Sequence, residues 1–160
     1  MTLHWRLTGE PDLVHAIIEQ SDIQMAALTN TPVPQRHPES TRRLVAGGHV
    51  WLGLTDARPV VTVTVGEVSS FDADEAGMPQ VETAWYMQRL AVAPGATSQL
   101  PGFHAVRHAV RRASMAGVDV LRAEANPDLP TLSMLLKIGF DRYGTDDSGP
   151  ARRTFLQLSL

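Results

Sequence analysis

The hexapeptide Gln99-Leu100-Pro101-Gly102-Phe103-His104 stands between an apolar strand pattern and an amphipathic helix pattern. The first turn of a helix presents unpaired N–H groups and the positive end of the helix dipole, so it can bind phosphate groups. Pro101 removes one of these potential donors. By itself the hexapeptide equally fits an ordinary loop-to-helix connection, but its position between strand and helix favours binding of a phosphate-bearing cofactor.

Two histidines four residues apart, His104 and His108, would share one face of this helix. An HxxxH pair can bind zinc, but the central glutamate of a metalloprotease motif and a third ligand are both missing. We therefore predict no metal site. His104 would instead lie beside a phosphate as a positive or N–H-donating neighbour, or would be a bulky substitution that weakens binding.

The composition is that of one globular domain spanning residues 1–160. Hydrophobic residues make up 43% and charged residues 19%, and no apolar run approaches the ~20 residues of a membrane helix. The absence of cysteine excludes thiolate catalysis and fits a cytoplasmic protein. A net charge of -3 argues against nucleic-acid binding. We predict a cytoplasmic protein with neither a membrane nor a nucleic-acid partner.

Charge changes sign along the middle of the chain. From Pro59 to Gln88 every charged residue is acidic, and from Thr83 to Val118 every one is basic. The first segment favours cationic partners and the second favours anions. The acidic residues are Glu67, Asp72, Asp74, Glu75 and Glu82, and the basic ones are Arg89, Arg107, Arg111 and Arg112.

Hydrophobic spacing and turn residues predict one mixed α/β unit. In PVVTVTVGEV, valines alternate with threonines, which indicates a strand with one face more buried than the other. Strands are predicted at 3–8, 49–56, 59–68, 84–92, 118–125, 140–143 and 153–160. Helices are predicted to begin near Pro11 and to span 39–46, 103–116 and 129–138.

The order of strand, phosphate-type loop, helix, strand and helix from Trp85 to Phe140 resembles the acyl-coenzyme-A-binding half of the GCN5-related N-acetyltransferase (GNAT) superfamily. The family's loop is Gln/Arg-x-x-Gly-x-Gly/Ala, and His104 replaces its small final residue. The resemblance implies a mixed, mostly antiparallel sheet of six or seven strands with helices on both faces. It implies acetyl-CoA or another acyl-CoA as donor, bound at Gln99, Leu100, Gly102, Phe103 and His104.

Two further contacts to the donor are implied by the resemblance. In this family the strand before the loop splays from its neighbour and offers backbone groups to the pantetheine arm. This role would belong to Leu90, Ala91 and Val92, whose other interpretation is simply a buried strand. Asn126, which opens the next helix, would contact the same arm or would only cap the helix.

The resemblance also indicates where to look for the catalytic acid and base. Many family members protonate the leaving thiolate with a tyrosine four residues before a Gly-Phe pair, a place that Leu135 occupies here. Another group or water would then act, or the chemistry is impaired. The candidate bases are Tyr86, Glu67 and Glu82, and for the carboxylates a solvated hairpin charge is the competing interpretation.

The predicted activity is transfer of an acyl group from a pantetheine thioester to an amine of a small molecule. Backbone N–H groups near 90–92 would hold the oxyanion. The departures in the loop leave an acyl carrier protein open as an alternative donor, which Arg107, Arg111 and Arg112 could meet. A noncatalytic ligand-binding or scaffold domain is the alternative function, and a homodimer is left open.

Overall fold

The structure, a computed structural model, describes residues 2–95 and 100–160. Within them, the chain forms seven strands and four helices. The elements are β1 (His4–Leu7), α1 (Pro11–Thr29), α2 (Pro38–Ala46), β2 (Val50–Thr55), β3 (Arg58–Gly66), β4 (Ala84–Val92), α3 (Leu100–Ala116), β5 (Val120–Ala125), α4 (Pro130–Ile138), β6 (Asp141–Asp146) and β7 (Arg153–Ser159).

The seven strands form one sheet in the order β1-β2-β3-β4-β5-β7-β6. Every neighbouring pair is antiparallel except β4 and β5, which are parallel and are joined through α3. The predicted mixed, mostly antiparallel sheet with helices on both faces is confirmed. No helix within 2–95 or 100–160 has the length and apolar character needed to cross a membrane.

Proline marks the start of several helices. α1, α2 and α4 each begin at a proline, whose fixed φ suits the first turn and whose missing N–H is not needed there. α3 begins at Leu100, earlier than the predicted Phe103, because Pro101 is likewise tolerated in the first turn. Pro101 is therefore part of the helix start and not of the loop before it.

The sheet is covered on both sides. The α3/α4 face packs Val61, Val63 and Val65 of β3 against α3 and α4. The α1/α2 face packs Leu52 and Ala91 against the two first helices. The expectation of one more exposed face on β3 was wrong, since its threonines on the α1/α2 face are also buried beneath α1.

Candidate active site

Strand β4 leaves its parallel neighbour after the first third of its length. Residues 84–86 pair with residues 120–122 of β5, and we call this part the paired end. Within the described chain, residues 87–92 make no pair with β5, which continues its ladder with β7 as far as Ala125. This second part, the splayed end, therefore presents one backbone edge without a strand partner.

A β-bulge lies in the splayed end. The register with β3 passes from Gln88↔Thr64 to Ala91↔Thr62, so β4 holds one extra residue. Arg89 there has a φ of 53°, in the left-handed region that side chains other than glycine rarely adopt. Bulges and strained residues of this kind concentrate at functional sites.

The bulge directs the Arg89 side chain onto the α1/α2 face. Its Nη1 donates a hydrogen bond to Oγ1 of Thr41 in α2, at 2.8 Å. Burial lowers the pKa of Arg89, and nearby Arg36 lowers it further. Arg89 is thus a half-buried cation at the point where the sheet opens.

Leu90, Ala91 and Val92 all belong to the splayed end. The side chains of Leu90 and Val92 pack on the α3/α4 face, and Ala91 packs on the α1/α2 face. Their side chains therefore fill both cores, while the backbone edge between them stays open. Both interpretations of this segment, buried strand and ligand-binding edge, fit the geometry, and the contact to pantetheine remains a prediction.

A groove runs between α3 and α4, beginning at the N-terminal end of α3. It consists of two cavities of about 410 and 420 Å³ that share Phe103 and Lys137. The other lining residues are Leu100, Pro130, Ser133, Met134, Arg107, Val110, Arg111 and Ile138. Apolar walls with a basic rim suit a ligand that joins an organic ring to phosphates.

The first turn of α3 meets the splayed end at Gly102. A Cβ on Gly102 would lie 3.7 Å from Cγ2 of Val92, which is ordinary contact. The Phe103 and His104 rings are 5.8 Å apart, and the Arg107 guanidinium lies 5.9 Å from the Phe103 ring. That these residues bind a phosphate-bearing donor remains a prediction. Gln99 lies outside the described residues.

Asn126 caps the turn that leads into α4. Its Oδ1 accepts a hydrogen bond from the backbone N–H of Asp128 at 2.9 Å. The capping role is therefore present, although α4 itself begins later, at Pro130. A contact between Asn126 and the pantetheine arm remains a prediction.

The three predicted bases lie away from the bulge. Tyr86, in the paired end, is buried, and its hydroxyl accepts a hydrogen bond from Nη1 of Arg122 at 3.1 Å. Glu67 is 68% exposed and lies 3.9 Å from Nε2 of His49. Glu82 is exposed in the loop before β4. Glu67 follows Gly66, the strand partner of Tyr86, but no hydrogen bond joins the three side chains among the described residues. Their role as base remains a prediction.

Glu124 is a carboxylate at the splay that the sequence interpretation missed. Because Tyr86 pairs in parallel with Arg122, Glu124 lies two residues further along β5 on the same α1/α2 face. Nη2 of Arg153 approaches its Oε2 to 3.0 Å. Burial raises the pKa of Glu124, and the charge of Arg153 opposes that rise.

Arg36, in the segment between α1 and α2, lies close enough to both Arg89 and Glu124 for its charge to act on each. Arg36 in this segment binds Asp22 of α1 through two hydrogen bonds, at 2.8 and 3.2 Å. The charge of Arg36 affects the pKa of both Arg89 and Glu124. Both residues therefore belong to one ionic cluster on the α1/α2 face.

The remaining candidates have structural surroundings. Leu135 is completely buried in the core beneath α4, so no hydroxyl occupies the place of the usual acid. His108 stacks on Trp5 with ring centroids 4.3 Å apart, whereas His104 is only partly buried. Among the residues that the structure describes, no group of three or more His, Cys, Asp or Glu could hold a metal ion.

The basic residues of α3 differ in their surroundings. Arg107 and Arg111 are exposed along the groove. Arg112 lies over the Trp51 ring, 4.8 Å from its centroid, and is half-buried. Only the first two present their guanidinium groups openly to a partner.

Comparison with known proteins shows similarity in structure only. No protein-family model and no curated protein matches the sequence. A GNAT-family acetyltransferase from Streptococcus agalactiae superposes with a TM-score of 0.78 at 14% identity, over 99% of this chain and 95% of that one. The Drosophila melanogaster polyamine N-acetyltransferase, which forms N-acetylagmatine, gives 0.73 at 14% identity, over 99% and 100%.

A third similar structure contains acetyl-CoA. It is yncA of Salmonella typhimurium, a putative acetyltransferase solved with acetyl-CoA, with a TM-score of 0.67 at 15% identity over 100% of this chain and 95% of that one. Identities this low establish similarity of fold. The fold that the sequence resemblance predicted is therefore confirmed, and the chain has the fold of the GNAT acetyltransferases.

Proposed function

We propose that this protein transfers an acyl group from an acyl-CoA thioester to the amine of a small molecule. The observation that carries the proposal is the splayed end of β4, an unpaired backbone edge with a bulge in the middle of the sheet. A buried unpaired edge costs free energy unless a ligand satisfies its polar groups. The peptide-like pantetheine arm of coenzyme A has the amides to do so.

The donor side of the proposed site is the α3/α4 face. The groove between these helices would receive the nucleotide part, with Lys137, Arg107 and Arg111 near its phosphates. The backbone N–H groups of Gly102 and Phe103, in the first turn of α3, would bind the pyrophosphate. Backbone N–H groups of the splayed end would bind the thioester oxygen as it gains negative charge.

The acceptor side is the α1/α2 face, where the amine must lose a proton as its nitrogen attacks the thioester carbon. The C–N bond then forms, the C–S bond breaks, and the thiolate takes up a proton from water. We add Glu124 to Tyr86, Glu67 and Glu82 as a candidate base, because it lies beside the splay. Its raised pKa makes it a better proton acceptor than an ordinary glutamate.

Two variants of the proposal rest on particular residues. A carrier-protein-bound thioester would need no pyrophosphate site, and the exposed Arg107 and Arg111 could contact an acidic carrier protein. A noncatalytic ligand-binding domain is the second candidate function, because the buried Leu135 cannot protonate a thiolate. In both variants the splayed end remains the binding site. The first differs from the main proposal in its donor, and the second in that no acyl group is transferred.

Calorimetry with acetyl-CoA tests the proposal. We expect a dissociation constant in the tens of micromolar or weaker, since Pro101 lacks an N–H and His104 replaces a small residue; the loss of one or two charge-assisted hydrogen bonds costs roughly tenfold or more. Gly102→Ala adds a methyl group that the free protein accommodates, so it should keep the melting temperature and weaken binding further. Absence of binding in the wild type would contradict the proposal for free acyl-CoA.

Turnover separates the candidate functions. Thiol release from acetyl-CoA and from an acetylated carrier protein would be followed with a panel of amines. Release with free acetyl-CoA supports the proposed transfer, and release with the carrier alone identifies the other donor. Binding of acetyl-CoA without turnover of any amine supports the noncatalytic function.

A further inference from the structure

Arg89 is a half-buried cation. Burial lowers its pKa and the charge of Asp22 opposes that shift, but within the described residues Arg89 and Asp22 form no ion pair. A guanidinium group offers five N–H donors, and within residues 2–95 and 100–160 Arg89 uses one nitrogen, to bind Oγ1 of Thr41. No carboxylate among these residues lies within ion-pair distance of it. Half-buried charges are usually paired, so an open one at the splay indicates a site for an anion.

The other charges of the cluster already have partners. Arg36 is bound to Asp22, and Arg153 is bound to Glu124. Neither of these arginines is available to a ligand without breaking an ion pair. Of the three arginines, Arg89 is therefore the one that can bind an anion without first breaking an ion pair.

The orientation of Arg89 is held from both ends. Its left-handed backbone at the bulge sets where the side chain leaves β4. At the other end, Thr41 is buried, and its Oγ1 lies 3.3 Å from Nδ1 of His15. His15 in turn lies 2.6 Å from Oε1 of Glu19, so a chain of polar contacts fixes the hydroxyl to which Arg89 donates.

We infer that the acceptor carries a carboxylate as well as its amine, an amino-acid-like molecule whose carboxylate binds Arg89. This inference rests on the proposed acyl transfer. The guanidinium fork matches the two oxygens of a carboxylate. The bound molecule would lie on the α1/α2 face with its amine towards the splay, and its two charges would face Arg89 and Glu124.

Matched pairs of acceptors test the inference. Each proteinogenic amino acid is compared with the primary amine that lacks its carboxylate, as phenylalanine with phenethylamine, by kcat/KM for thiol release. We expect the preferred amino acid to exceed its amine by roughly tenfold to a hundredfold, the effect of one or two charge-assisted hydrogen bonds. Arg89→Gln should bring that ratio close to one, and Arg89→Lys should give an intermediate ratio.

Arg42→Gln is the matched control, because it removes an exposed arginine next to Thr41 in the sequence and should leave the ratio unchanged. If simple amines react as well as amino acids in the wild type, the inference is overturned while the acyl transfer stands. The inference fails equally if Arg89→Gln keeps the preference.

A binding measurement covers the case of no turnover. N-acetylated amino acids and N-acetylated amines are titrated calorimetrically into the wild type and into Arg89→Gln. Binding of the acids that the substitution abolishes supports the carboxylate site even if acyl transfer has failed. Absence of such binding overturns it.

Discussion

Two arginines on the α1/α2 face differ in how their hydrogen bonds are satisfied. Arg122, at the paired end, donates to Oε1 of Gln157 at 3.0 Å, to the hydroxyl of Tyr86 at 3.1 Å and to the carbonyl of Pro79 at 2.7 Å. Arg89, at the splayed end, donates to Thr41. Protein acceptors surround the guanidinium of Arg122. Beside Arg89, in contrast, β4 no longer pairs with β5.

This difference indicates a stabilising role for the residues at the paired end and a binding role for those at the splayed end. At the paired end, the buried Arg122 has a protein acceptor at each of its three guanidinium nitrogens, so it stabilises the fold and has little left to offer a ligand. At the splayed end, the backbone edge and the guanidinium both keep free bonding capacity. Substitutions at the paired end should therefore affect stability, and those at the splayed end should affect turnover.

The largest effect is expected in β5, beside the splayed end. Glu124→Gln keeps the size of the side chain and removes the base, so turnover should fall by about 10²–10⁴-fold with little change in melting temperature. Because the pKa of Glu124 is raised, wild-type activity should decline with falling pH, starting at a higher pH than for an ordinary glutamate. Thiol-release assays across pH measure both quantities.

Tyr86→Phe, Glu67→Gln and Glu82→Gln serve as the comparison set for this experiment. A comparable loss in one of these folded variants, with Glu124→Gln fully active, would move the base away from the splay. It would also remove the functional distinction between the two ends.

At the paired end we expect a loss of stability. Arg122→Met fills similar space but leaves three acceptors without their donor, so unfolding should become easier by about 2–4 kcal/mol. Chemical denaturation measures this, and acetyl-CoA affinity should not change at temperatures where the variant is folded. Unaltered stability together with weakened donor binding would reverse the roles of the two ends.

A smaller effect, on stability at acid pH, is expected from substitution of His108. It tests whether every polar side chain without a hydrogen-bond partner belongs to a functional site. Its buried Nε2 has no hydrogen-bond partner among the described residues, and its ring is enclosed by Trp5 and Trp51. Burial lowers its pKa to about 4, with Arg112 and Arg111 contributing. His108 is therefore neutral at pH 7 and sealed from ligands.

The His108 imidazole takes up a proton near pH 6.5 in the unfolded state and near pH 4 in the folded state. The free energy of unfolding should therefore decline as pH falls from 6.5 to 4. The loss should reach about 3 kcal/mol below pH 4. His108→Phe should reduce the acid sensitivity, whereas the exposed His37→Gln should not. Equal acid sensitivity in wild type and His108→Phe would show that other groups cause the decline.

Local signals in the sequence predicted the scaffold well. β4 was expected at 84–92 and has those bounds, because its apolar run ends at Pro94-Gly95. The bulge at Arg89 could not be predicted, since no glycine marks it and it depends on the register with β3. Correct prediction of the bounds of β4 therefore did not reveal the bulge within it.

The ionic cluster was missed for a related reason. Thr41, the partner of Arg89, is 48 residues away in the sequence, and Arg153, the partner of Glu124, is 29 residues away. One signal was present for Arg89, because it is the single charged residue within the strand pattern 84–92. Side chains that break a strand pattern in this way indicate positions worth testing before surface carboxylates such as Glu67 and Glu82.

The open edge of β4 also makes the backbone a reporter of occupancy. In a strand with two partners, successive amides are protected from solvent exchange on alternating sides. Over residues 87–92, the amides directed at β3 should exchange deuterium slowly, and those directed at the gap should exchange quickly. A pantetheine arm entering the gap would slow the second set, so deuterium uptake would reveal a bound donor without a label or a turnover assay.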